Sequence, residues 1–83
     1  MYQYDNDLVR ARLREVRKTL GYSMTAFCEV VGVSRNTLTR YEAGTLKPKL
    51  EIVSLIAANT GYSVDWILGL SRQSKIIKPA HFE

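Results

Sequence analysis

Arg35, Asn36 and Arg40 carry the most distinctive chemistry in this chain, and all three fall in one short run, Ser34-Arg35-Asn36-Thr37-Leu38-Thr39-Arg40-Tyr41-Glu42-Ala43-Gly44. An arginine guanidinium matches O6 and N7 of guanine with two parallel hydrogen bonds. An asparagine amide matches N6 and N7 of adenine in the same way. In a helix, Arg35 and Asn36 occupy the exposed start, and Arg40 lies one turn beyond Asn36 on the same side. Leu38 and Tyr41, three apart, point away from that side. A helix that opens this way can present a guanidinium and an amide to base edges in a DNA major groove.

The flanking residues predict how such a helix is held. From Ser23 to Gly44 the pattern is two short helices joined by a tight turn. Ser23 is an N-cap candidate for helix 2, in which Phe27, Val30 and Val31 face inward with Cys28 as a small neighbour. Gly32 permits the sharp turn, and Val33 plugs the gap between the helices. Ser34 caps helix 3, which runs from Arg35 to about Ala43 and stops at Gly44. Helix 1 is expected from Asp7 to Leu20, capped by Asn6 or Asp5, with Val9, Leu13, Val16 and Leu20 as its buried stripe and Gly21 as its end. Thr45 to Lys49 form a loop containing Pro48. Helix 4, Leu50 to Thr60, is apolar almost all round and is expected to be the central core helix. Gly61 ends it. Ser63 caps a short helix 5, Val64 to Leu70, packed through Trp66, Ile67 and Leu70. The expected fold is all-α: a compact five-helix domain over 1–70 and a tail over 71–83 without helical period.

Composition bounds the partners. Eighty-three residues make one small domain with a modest core. Net charge is +4, which favours a polyanion. The basic residues cluster: Arg10, Arg12, Arg14, Arg17 and Lys18, then Arg35 and Arg40, then Lys47 and Lys49. The single cysteine, Cys28, rules out an internal disulfide and fits a reducing compartment. Its apolar surroundings favour packing over chemistry. No apolar run approaches the roughly 18 residues of a membrane span. The first residues lack the basic and apolar regions of a secretion signal, so the cytoplasm is the expected location. No paired-carboxylate site, nucleophile with a histidine partner, phosphate-cradling glycine loop or metal-ligand spacing is present, and His81 stands alone in the tail. The expectation is no enzyme, no metal and no cofactor.

The order and spacing of Arg17, Gly21, Ser23, Gly32-Val33-Ser34, Leu38, Glu42, Gly44, Pro48 and Ser63-Val64-Asp65-Trp66-Ile67-Leu68 resemble the Cro and lambda-type phage repressor helix-turn-helix family, which also includes bacterial regulators and antitoxins. The resemblance covers roughly Leu8 to Leu70. It implies a lambda-repressor-like fold with the helix-turn-helix at helices 2 and 3. It also implies a cytoplasmic, nucleoid-associated protein in a bacterial host. Carried over by position, it makes Arg35, Asn36 and Arg40 the base readers, with Ser34 and Thr39 beside them. It further implies a partly buried ion pair between Arg17 and Glu42. Three residues depart from the family pattern. Met24 stands where a glutamine usually contacts a phosphate and braces the recognition helix, and it can do neither by hydrogen bonding. Cys28 replaces a usual alanine. Lys49 replaces the usual serine or threonine cap of helix 4.

Phosphate positioning is expected from Ser23 with the amides that open helix 2, from Thr37, and from Lys47 and Lys49. Arg10 and Arg14, which share one face of helix 1, are further candidates. The expected function is a sequence-specific regulator of transcription that binds double-stranded DNA. Its most natural form is a homodimeric repressor reading an inverted-repeat operator, with half-sites about one helical turn apart. Trp66, Leu70, Ile76 and Ile77 are the candidate dimer contacts, with the core as the other place for Trp66. The competing reading is an antitoxin or other protein-interaction module, in which the tail orders on a toxin or other partner.

Overall fold

The computed structural model describes residues 5–72 and contains five helices: α1 (Asn6–Thr19), α2 (Met24–Val31), α3 (Arg35–Ala43), α4 (Leu50–Thr60) and α5 (Val64–Ile67). Ile76, Ile77, His81 and nearly all of the tail lie outside the described residues.

Short polar side chains start four of these helices. Asp5, Ser23, Ser34 and Ser63 each accept a hydrogen bond from the backbone N–H three residues on, at 3.1–3.2 Å. Each such cap satisfies one of the donors that a helix start leaves without a partner. Asp5 rather than Asn6 caps α1, and Asn6 is the first helical residue. Lys49 occupies the cap position of α4 and makes no side-chain cap bond. Two glycines matter most for the helix-turn-helix. Gly32 and Gly44 end α2 and α3 at φ 74° and 82°, a conformation that side-chain-bearing residues rarely adopt.

The core forms where α3 packs on α1 and α2, and α5 packs on α1 and α4. Val9, Leu13 and Val16 of α1 meet Phe27 and Val31 of α2, Leu38 and Tyr41 of α3, and Val53 and Ile56 of α4, all essentially without solvent exposure. Val33 fills the turn between α2 and α3.

Several expected core positions lie at the surface instead. Leu20 is 39% exposed because α1 ends one residue earlier and Leu20 serves as its C-cap. Val30 is exposed because the i, i+4 pair Phe27 and Val31 defines the buried face of α2. The apolar periphery of α4 does not make it a central helix. Only Val53, Ile56 and Ala57 are buried, while Leu50 and Leu55 face outward. Helix α5 is one turn long, and Leu68 takes the buried position expected of Leu70, which is 55% exposed.

Candidate nucleic-acid interface

Helix α3 is fastened from one side and open on the other. Leu38 and Tyr41 anchor it in the core. Ser34, Arg35, Asn36, Thr39 and Arg40 are all exposed, so the candidate base readers share the unburied side of one helix. At its start, the Ser34 hydroxyl accepts from the Thr37 N–H and donates to Thr37 Oγ1 at 2.9 Å. Thr37, half-buried, is thus part of the cap.

The Arg17–Glu42 pair fixes the other end. Arg17 Nε and Nη2 donate to Glu42 Oε2 and Oε1 at 2.9 and 3.0 Å, and Arg17 Nη1 donates to the carbonyl of Tyr22 at 3.1 Å. The two side chains are only 16% and 10% exposed. The hydrogen bond to Glu42 raises the guanidinium pKa above its ordinary value, against the opposing effect of burial. The pair ties α1 to the last turn of α3 with a fixed two-point geometry. Tyr41, one residue earlier, accepts the Lys49 N–H on its hydroxyl at 3.2 Å and so holds the loop leading into α4.

A side-chain hydrogen bond links the start of α3 to the first turn of α2. Arg35 Nη1 donates to Thr25 Oγ1 at 2.7 Å. This bond places Arg35 next to the helix start that Ser23 caps, so the candidate phosphate-binding amides and the first candidate base reader belong to one surface. Sequence reading did not single out Thr25. An exposed hydroxyl one position after Met24 gives no signal by itself, because only the packing angle between the two helices brings it to Arg35.

The basic residues separate into two groups. Arg35 and Arg40 form no ion pair among the described residues, and neither do Arg14, Lys47 and Lys49, all five being exposed. Their charge remains available to an anion. Arg10, Arg12 and Arg17 are already engaged. Arg10 pairs with Asp7 at 3.3 Å and lies across Gly44, where an added side chain would press on it at 3.2 Å. Arg12 stacks on the Trp66 ring, 4.6 Å from its centroid, and donates to the Trp66 carbonyl. Trp66 is accordingly a core residue, 6% exposed beneath that guanidinium. Of the apolar residues expected at a dimer surface, Leu70 is the one that is exposed among the described residues.

A concavity of about 240 Å³ lies between the start of α1 and the α3–α4 loop, lined in part by Asn6, Arg10, Tyr41 and Lys47. Two of its polar groups already have partners, Arg10 with Asp7 and the Tyr41 hydroxyl with Lys49. Burial pushes the Cys28 thiol pKa up, opposed by the nearby charge of Arg35. That keeps Cys28 in the unreactive thiol form at neutral pH. No described helix is long and apolar enough to cross a membrane.

Comparison with known proteins agrees with this arrangement. Residues 13–67 match the helix-turn-helix family model. The chain is 31% identical over 72 residues to a protein named antitoxin PezA from Streptococcus pneumoniae serotype 4, covering 87% of this chain and 44% of that protein. It is 37% identical over 60 residues to the uncharacterized HTH-type transcriptional regulator YobD of Bacillus subtilis, covering 72% and 54%. It is 30% identical over 64 residues to the HTH-type transcriptional regulator AnsR of the same organism, covering 77% and 55%. The chain thus spans about half the length of the curated relatives it matches. No solved structure matches it.

Proposed function

The chain belongs to the helix-turn-helix family, and we propose that it is a sequence-specific, double-stranded DNA-binding regulator of transcription that acts by binding and not by catalysis. The observation that carries this reading is the exposed start of α3. Arg35 and Asn36 stand there without ion-pair partners, on a helix braced at one end by its cap and at the other by Arg17–Glu42. In this reading α3 enters the major groove, where Arg35 pairs with a guanine and Asn36 with an adenine. Arg40, one turn on, extends the contact, with Ser34 and Thr39 at its edge. The Ser23-capped start of α2, Lys47 and Lys49 hold phosphates and set register without reading sequence.

A homodimer follows from the small footprint of one module. Two copies on an inverted repeat read twice the sequence and gain affinity from each other. Leu70 is the described residue best placed to contribute. The protein would act as a repressor on the nucleoid, in the cytoplasm of a bacterial host. Likeness to a protein named as an antitoxin supports a second, compatible reading, in which the same chain also neutralises a protein partner. Relief by this chain of toxicity from an adjacent reading frame tests that reading.

The main test is selection from random duplexes of about 30 base pairs at fixed salt. The expected result is an inverted repeat enriched about 10³-fold or more over random sequence. Binding that is steeply salt-dependent but enriches no sequence would contradict it.

A further inference from the structure

The Arg35 side chain, although exposed, has one defined partner: Nη1 donates to Thr25 Oγ1 at 2.7 Å. We infer that Thr25 is a specificity-determining positioning residue, whose hydroxyl holds the Arg35 guanidinium in the orientation that reads a base. The inference rests on the proposed base-reading role of α3.

Three features of the contact favour positioning over simple surface bonding. First, the acceptor is a neutral oxygen. It orients the guanidinium without cancelling its charge, as a carboxylate at that place would, and no ion pair engages Arg35 among the described residues. Second, the donor count fits. A guanidinium carries five N–H groups, Thr25 takes one from Nη1, and the two that a guanine edge needs remain. Third, both ends are on rigid elements. Thr25 lies in the first turn of α2, two residues after the Ser23 cap, and its β-branched side chain has few rotamers. Arg35 is the first residue of α3, immediately after the Ser34 cap. A long arginine side chain loses much rotamer freedom when it binds. One held beforehand loses less at that moment, and it holds its orientation against the wrong base. Met24, the neighbour of Thr25, offers only a thioether sulfur, a weak acceptor.

The test uses a duplex selected by the wild-type protein, with the three alternative pairs substituted at each position. Affinities are measured at fixed salt for wild type, Thr25→Val, Thr25→Ser, Arg35→Ala and the Thr25→Val/Arg35→Ala double variant, with melting temperatures in parallel. Valine keeps the branched shape of threonine and removes the oxygen; serine keeps the oxygen. The expected result is that Thr25→Val loses discrimination about threefold to thirtyfold, at the same base pair as Arg35→Ala and at no other. Thr25→Ser retains discrimination, the double variant is no worse than Arg35→Ala alone, and the melting temperature of Thr25→Val matches wild type. Equal loss on every sequence would make Thr25 a phosphate contact and overturn the inference. Loss undiminished in the Arg35→Ala background, or unchanged or improved discrimination, would overturn it as well. If wild type selects sites and Thr25→Val is indifferent, this inference alone fails. If wild type selects no sequence, the base-reading role fails and takes the inference with it.

Discussion

At the residue scale, what matters is which charges have already been used. The first basic cluster, Arg10 to Lys18, offers Arg10 and Arg14 as phosphate candidates in sequence and Arg17 as an ion-pair partner, and the structure puts its members to different uses. Arg12 clamps α1 to α5 through the face and carbonyl of Trp66, and Arg17 grips Glu42, while Arg14 is exposed without an ion-pair partner. Neighbours in sequence therefore have separable roles. Arg14→Ala is expected to reduce the slope of log affinity against log salt by about 1 and to leave the melting temperature unchanged. Arg12→Ala is expected to lower the melting temperature with no change in slope. Titrations at several salt concentrations, with thermal melts of both variants, check this. The types and spacing of Arg35, Asn36 and Arg40 were legible because a helix start and an i, i+4 relation are local properties. The partner of Arg35 was not, because Thr25 reaches it only through the crossing of two helices.

At the element scale, all five helices were legible, since serine and aspartate caps and terminal glycines mark most of their ends in the sequence. Which apolar residues face inward was less so. Helix α4 carries apolar residues on most sides, and only its contacts with α2 and α5 decide that Val53 and Ile56 are buried while Leu50 and Leu55 are not. Glu42→Ala leaves Arg17 mostly buried with only the Tyr22 carbonyl as partner. It is expected to destabilise the domain by on the order of 3 kcal/mol. That corresponds to a fall in Tm of more than about 10 °C for a domain this size, and discrimination between bases by the folded fraction should be preserved. An unchanged Tm would contradict the bracing role. Conversely, Lys49→Ser supplies the missing cap of α4. It is expected to stabilise by about 0.5–1 kcal/mol, visible as a Tm a few degrees higher, while DNA affinity falls through loss of the charge proposed to hold a phosphate.

At the scale of the whole molecule, a small core supports one exposed helix face, and the proposed homodimer would pair two such faces. Leu70, just beyond α5 and 55% exposed, is the most exposed of the large apolar residues described and the proposed dimer contact. Leu70→Glu is expected to shift the protein from dimer to monomer in light scattering at micromolar concentration and to weaken binding to an inverted repeat more than to a single half-site. A wild-type monomer at that concentration would count against dimeric reading. Trp66 shows what the sequence could not settle. An aromatic in a short amphipathic helix suits a core or an interface equally, and only its packing in the core, against Tyr62 and beneath Arg12, places it inside.

Base reading by the start of α3 is tested by the affinity of Arg35→Ala and Asn36→Ala on a selected duplex and its single base-pair variants. Each replacement is predicted to cost about 1–3 kcal/mol on the selected site and to abolish discrimination at one base pair, a G·C for Arg35 and an A·T for Asn36. Losses of equal size on every sequence, or no loss at all, would contradict base reading by α3.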